Sequence, residues 1–153
     1  AAQINRVYEG RELTIIGILK GAVFFTCELA KRITVPVTMD FMSVSSYGSG
    51  TESSGKVKII KDLDLSIEGK DVIIVEDIID SGFTLSYLKG FLAQRNPNSI
   101  RLCTLLNKPE RRVKKEVAVD YEGFCIPDQF VVGCGLDYDQ KYRNLPYIGV
   151  VEF

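Results

Sequence analysis

The chain has no histidine, and its four cysteines, Cys27, Cys103, Cys125 and Cys134, stand far apart with no CxxC spacing. A zinc set of cysteines and histidines is therefore excluded, and the thiols read as reduced core or strand residues of a cytoplasmic protein. No run approaches the roughly 18 apolar residues that a membrane-crossing helix needs, and no secretory leader is visible, so no membrane partner is expected. An excess of one charge sign is also missing: Lys and Arg number 19 against 20 Asp and Glu, for a net charge of −1. Nucleic-acid surfaces show as a strong positive bias, so no nucleic-acid partner is expected either. What is present is a chain of 153 residues, 46% hydrophobic, which is enough to build a core. It reads as a single domain over residues 1–153 without repeats or linkers. Ala1 enters almost directly into a strand in this reading, so a further N-terminal segment is expected to precede it.

The chain is organised around residues 72–85, VIIVEDIIDSGFTL. Val72–Val75 is a run of four apolar, β-branched residues, the mark of a strand buried on both faces in a parallel sheet. Chemistry is expected where that strand ends. Glu76, Asp77 and Asp80 place three carboxylates within five residues, which would repel one another in a core and so need solvent, a cation or a cationic substrate. Ser81, Gly82 and Thr84 follow, small and hydroxylated, and then Leu85, Leu88 and Leu92 at helical spacing. A turn of that kind opening a helix is a phosphate cradle, because the first backbone N–H groups point outward at the positive end of the helix dipole. Carboxylates beside an anion pocket fit one ligand that carries a ribose ring, a monophosphate and a Mg2+-bound diphosphate.

The remaining pattern is strand and helix in alternation. Leu13–Leu19 is a second buried strand closed by Lys20 and Gly21, residues 22–32 read as a helix packing Phe24, Phe25 and Leu29, and residues 35–44 as a third strand. The unit starting at Val72 repeats this through a strand at residues 99–106. Right-handed βαβ units of this kind give an α/β fold with a mostly parallel central sheet flanked by helices, whose ligands lie beyond the carboxyl ends of the strands, where Lys20, Glu76, Asp77 and Lys108 fall. Residues 43–56, SVSSYGSGTESSGK, read as a mobile active-site loop flanked by a short strand pair. Residues 109–115 read as a charged, solvated connection, with short strands at 117–119 and 130–132, a turn region at 133–139, and a tail at 142–150 that returns to the sheet.

Two motifs fail on their context. Gly50–Lys56 has the GxxxxGK spacing of a P-loop, but Val57 stands where Ser or Thr must reach Mg2+, and a strand rather than a helix follows. Gly133-Cys134-Gly135 begins like a dinucleotide fingerprint, but Tyr138 occupies the third glycine position.

Glu76-Asp77-Ile78-Ile79-Asp80-Ser81-Gly82-Phe83-Thr84 resembles the 5-phosphoribosyl-1-diphosphate (PRPP) signature of type I phosphoribosyltransferases, in the form used by the hypoxanthine and hypoxanthine-guanine enzymes. The resemblance covers residues 13–150. It implies purine salvage: transfer of the phosphoribosyl group to N9 of hypoxanthine or guanine, giving IMP or GMP and diphosphate, with Mg2+ as cofactor and a homodimer or homotetramer as the assembly. It also implies roles. Asp80 is the general acid/base toward purine N7. Glu76 and Asp77 lie at the ribose, and Ser81, Gly82, Phe83 and Thr84 hold the 5′-phosphate. Leu19, Lys20 and Gly21, with a strained or non-proline cis peptide at Leu19–Lys20, form the diphosphate loop with Arg143. Ser46 and Tyr47 belong to a lid. Lys108 donates to the purine O6, Phe130 stacks, Val131 meets the base edge through its backbone, and Glu76, Asp77 and Asp137 face the metal. Asn107 stands where many relatives have Asp. A PRPP-sensing regulator that binds nucleic acid on the same scaffold is the alternative.

Overall fold

The computed structural model describes residues 1–46 and 57–153. Tyr47 and the Gly50–Lys56 run lie outside them, and of Ser46 only the backbone is described. In chain order the elements are Ala2–Val7 (α1), Leu13–Leu19 (β1), Val23–Ala30 (α2), Val37–Ser46 (β2), Val57–Lys61 (β3), Asp71–Ile79 (β4), Phe83–Ala93 (α3), Ser99–Asn107 (β5), Tyr121–Cys125 (β6), Val131–Val132 (β7) and Gly149–Val150 (β8). A single 3-10 turn, Pro109–Arg111, follows β5.

Six strands form one sheet in the order β3-β2-β1-β4-β5-β6, parallel throughout except for β3, which pairs antiparallel with β2. Alternate residues of the central strands face opposite layers, as strand geometry requires. Ile16 and Ile18 of β1, with Val72 and Ile74 of β4, pack under Leu85, Leu88 and Leu92 of α3. Ile15, Ile73 and Val75 face the other way, against Ile4, Tyr8 and Leu29 of the α1 and α2 side. The α3 leucines recur at i, i+3 and i+7, which puts them on one stripe, and Leu88 and Leu92 are wholly buried. Each such side chain contributes about 1.5–3 kcal/mol by leaving water. Among the described residues no helix is long and apolar enough to cross a membrane.

Several expectations need correction. The N-terminal residues form a helix rather than leading into a strand, because Ile4 and Tyr8, four apart, share one face that seats on the sheet. β2 runs to Ser46, into the stretch read as loop, and β3 begins at Val57, where the P-loop reading already failed. There is no strand at 117–119. Val117 instead plugs the α3-side core from a loop, and the sheet gains its edge at Tyr121–Cys125, where Gly123 breaks the strand signature. The tail pairs not with the central sheet but with β7, in a separate two-stranded unit. Phe24 faces solvent, and Cys27 and Cys125 are exposed, leaving Cys103 as the buried thiol.

Candidate active site

The turn from β4 into α3 is shaped by Gly82, whose φ of 88° lies in the left-handed region that glycine tolerates best. Gly82 is the helix N-cap, with no side-chain cap and no acidic residue in the first turn, so the first turn itself carries nothing that neutralises the positive end of α3. The N–H groups there open onto a cavity of about 190 Å3 lined by Glu76, Ile78, Ile79, Asp80, Ser81, Gly82, Thr84 and Leu85. Phe83 N–H reaches Ser81 Oγ at a long 3.5 Å and remains a willing donor to an anion. The signature residues Glu76, Asp80, Ser81, Gly82 and Thr84 thus line one cup.

The basic run after β5, expected to be a solvated connection, is a strap across this turn. The Val113 and Lys114 amides donate to the Ser81 carbonyl at 2.9 and 3.0 Å, and Arg112 Nε donates to the Asp80 carbonyl at 3.1 Å. Arg112 also donates to Asn107 Oδ1, while the Asn107 amide nitrogen donates to Glu122. An amide at 107 therefore serves a cation and a carboxylate at once, which an aspartate could not do. Lys114 Nζ lies 5.5 Å from the Phe83 ring centre.

The three carboxylates are treated differently. The sequence placed Glu76 and Asp77 beyond the strand, but β4 continues to Ile79 and takes both inside. Glu76 is buried; desolvation, with Asp77 adding to it, pushes its carboxyl well above the usual 4.5. Asp77 is also raised, by burial first, against the opposing pull of the Ile78 N–H at 2.7 Å, of Glu76 and of the Arg143 charge. Asp80 stands at the mouth, half-exposed, and accepts a hydrogen bond from Arg111 Nε at 3.1 Å.

Facing this cup, β1 ends in the expected cis peptide at Leu19–Lys20. Lys20 Nζ donates to Gln140 Oε1 at 3.2 Å, and Arg143 Nη2 donates to the same oxygen at 3.1 Å. Arg143 also donates to the Gly135 carbonyl at 2.7 Å and lies 3.4 Å from Asp137. Two cations predicted to share a diphosphate thus converge on one carbonyl oxygen. Gly21 is required by close approach: a Cβ there would strike the Asp77 carboxylate, and a Cβ at Gly135 would strike the Gly21 carbonyl.

Beyond Lys108 lies the third part. Lys108 is buried, and its ammonium is 3.8 Å from Asp128. Phe130 presents a half-exposed ring flanked edge-on by Tyr138 and Phe153, with centroids 5.7 and 5.6 Å away. Val151 N–H donates to the Phe130 carbonyl, so the bonded rungs of the β7–β8 pair fall on either side of Val131 and turn its amide and carbonyl away from β8. Among the described residues no three His, Cys, Asp or Glu side chains gather into a group able to hold a metal alone. Asp137 stands with Arg143 and the Gln140 N–H at 2.9 Å, on the diphosphate side.

Sequence reasoning missed Arg111, Arg112, Lys114, Asp128 and Gln140. The basic run was visible, but only the fold shows that it lies on the turn after β4 rather than in solvent.

A family model for the phosphoribosyl transferase domain matches residues 1–139. The chain is 57% identical over 143 residues to the hypoxanthine-guanine phosphoribosyltransferase of Mycobacterium bovis, covering 94% of this chain and 70% of that protein. It is 55% identical over 150 residues to the bifunctional protein TilS/HprT of Listeria monocytogenes, covering 98% of this chain, and it spans only 23% of that longer relative. The crystal structure of a hypoxanthine-guanine phosphoribosyltransferase from Bacillus anthracis, with HEPES in its active site, superposes with a TM-score of 0.94 at 52% identity, covering 99% of this chain and 88% of that one.

Proposed function

The chain belongs to the phosphoribosyl transferase family, alongside its hypoxanthine-guanine members, and from that premise we propose that it transfers the 5-phosphoribosyl group of PRPP to N9 of hypoxanthine or guanine. The products are IMP or GMP and diphosphate. The observation that carries this reading is the pairing, at one strand-to-helix junction, of an uncapped helix start with a buried carboxyl, Glu76, on which no cation among the described residues acts.

Each part of the site takes one task. The N–H groups and hydroxyls of Ser81, Gly82, Phe83 and Thr84 hold the 5′-phosphate at the positive end of α3. Glu76 and Asp77 bind the ribose hydroxyls, and in their ionised form their negative charge favours the positive charge that grows on the ribosyl carbon. Leu19, Lys20 and Gly21 turn main-chain groups and an ammonium toward the diphosphate. Arg143 adds a planar guanidinium whose fork suits phosphate oxygens, and Gln140 yields its place between the two cations when that anion arrives.

Asp80 accepts the proton from purine N7, a contribution worth about 10²–10⁴ in rate for a well-placed base. Lys108 donates to O6. A 6-amino group in its place would set donor against donor, so adenine is rejected. Phe130 stacks on the ring, Val131 meets the base edge with its outward amide and carbonyl, and Ser46 and Tyr47 close over the centre.

Mg2+ suits this site as an ion carried by substrate. Mg2+ is commonly held by one or two carboxylates plus phosphate oxygens, and the absence of a three-carboxylate cage among the described residues agrees with that habit. Glu76 and Asp77 would hold one such ion at the ribose and Asp137 a second at the diphosphate, and when bound they would offset the charge of the departing diphosphate. A homodimer or homotetramer in the cytoplasm completes the proposal, and light scattering on the eluting protein measures the assembly. The regulator reading has no support here, since the matched relative and the superposed structure are hypoxanthine-guanine phosphoribosyltransferases.

The test is diphosphate release from PRPP and Mg2+ with hypoxanthine, guanine, xanthine, adenine and uracil in turn. Release with the first two and little with adenine is expected. No release with any of the five would end the reading.

A further inference from the structure

Arg111 joins two groups that the proposed reaction needs at one edge of the purine. Its Nε donates to Asp80 Oδ1 at 3.1 Å, and its Nη1 lies 3.6 Å from Asp128 Oδ2. The other oxygen of Asp128, Oδ1, faces Lys108 Nζ at 3.8 Å. Asp80, Arg111, Asp128 and Lys108 therefore form a row of alternating charge, with the N7 proton acceptor at one end and the O6 donor at the other. Arg111 occupies only one oxygen of Asp80; among the described residues Oδ2 takes no hydrogen bond and is left for the purine.

The middle pair is exposed: Arg111 keeps 54% and Asp128 46% of its side-chain surface in water. Exposed ion pairs add little to folding, so stability does not account for this row. Geometry does. N7 and O6 are neighbouring atoms of one rigid ring system, so an acceptor and a donor that meet both must keep a fixed spacing. Asp80 sits at the end of β4 and Lys108 at the end of β5, and each reaches the site through rotatable bonds. The 3-10 turn Pro109–Arg111 starts directly after Lys108 and carries Arg111 back to Asp80.

Building on the transferase reading above, we propose that Arg111, acting through Asp128, is a positioning residue that sets the distance between Asp80 and Lys108 for 6-oxopurines. Its work is on the base half-reaction. Of the cup's lining its side chain touches only Asp80, and among the described residues it makes no contact with the diphosphate cations.

The experiment is steady-state kinetics on the full chain with hypoxanthine and PRPP, for Arg111→Ala, Arg111→Lys, Asp128→Asn and the Arg111→Ala/Asp128→Asn pair. A misplaced catalytic group commonly costs about tenfold to a hundredfold, so Arg111→Ala is expected to lower kcat/KM for hypoxanthine by at least about tenfold. The KM for PRPP should move less than about twofold, Arg111→Lys should recover part of the loss, and the double variant should be no slower than the worse single one. Additive losses in the double variant, or a KM for PRPP that rises as much as kcat/KM for hypoxanthine falls, would overturn the proposal, as would unchanged hypoxanthine kinetics in Arg111→Ala. Should Arg111→Ala not fold, Asp128→Asn carries the same split between base and PRPP parameters. The parent enzyme in the same assay separates the two questions: a parent that makes no nucleotide refutes the transferase reading, whereas an active parent with indifferent variants refutes only the role of Arg111.

Discussion

Two carboxylates on β4, five positions apart, have opposite surroundings. Asp71, at the amino end, accepts hydrogen bonds from Asn98 at 2.7 Å and Ser99 at 2.6 Å and lies 3.3 Å from Arg11. Burial by itself would raise its pKa, yet the Ser99 and Asn98 donors and the charges of Arg11 and Arg101 outweigh burial and leave it below its ordinary 3.8. Glu76, near the carboxyl end, is equally buried and has only another acid, Asp77, for company, so its pKa rises instead. The difference separates a group that serves the fold from one that, in the proposed reaction, meets a ligand. A structural anion brings its partners with it. A binding anion is left unpaired, and the fold carries the cost.

The comparison can be broken or sharpened by substitution. The largest effect is expected at Asp80, on the ligand side: Asp80→Asn should slow nucleotide formation by about 10²–10⁴ with the melting temperature unchanged, since the residue is half-exposed. A rate equal to the parent's would remove Asp80 from the chemistry. On the structural side, Asp71→Ala should cost about 1–3 kcal/mol in urea unfolding, because it removes the buried, charged acceptor that Asn98 and Ser99 share, while turnover per folded molecule stays the same. In the parent, the stability due to Asp71 is present above its unfolded pKa of 3.8 and is lost as pH falls through the lower folded value.

Glu76 has the opposite sign. Its folded pKa lies above the unfolded 4.5, so the stability it contributes is full below 4.5 and is lost as pH rises through the folded value. Glu76→Gln should therefore unfold later than the parent at pH 7, by about 1 kcal/mol, and the gap should close on acidification to pH 4. PRPP binding should weaken in the same variant. A Glu76→Gln protein less stable than the parent at pH 7 would show that the acid is paired after all. The smallest effect belongs to Glu28, which Lys31 and Arg32 hold down at about 2 from the surface of α2. Glu28→Gln should shift melting by less than about 1 °C, since exposed ion pairs of this kind are screened by solvent. A large shift would mean that partners rather than burial decide the contrast.

Much of this was legible in the residues. Val72–Val75 and Leu13–Leu19 declared buried parallel strands, the 85, 88 and 92 leucines declared a helix face, and the turn residues Ser81, Gly82 and Thr84, read as an anion cup, line one cavity. These signals are local, being periods of two and 3.6 and a turn chemistry read over a few positions. What stayed hidden depends on meetings between distant segments. The strap is written as a string of charges, and nothing local distinguishes charges that cross a turn from charges in water. Gln140 gave no sign, because an amide between two cations is recognised only when Lys20 and Arg143 have been brought to it from 120 and 3 residues away. Glu76 was misplaced because a carboxylate ordinarily ends a buried strand, and here the strand goes on.

The bare contact of Gly135 with the Gly21 carbonyl works as a ruler. Lys20 adjoins one end of it, and Arg143, bonded to the Gly135 carbonyl, adjoins the other. Main chain against main chain therefore gauges the width of the gap between these cations, with no side-chain dimension entering. Residues around it are free to drift in size without widening the gap, whereas a single methyl group added at Gly135 would force the two cations apart.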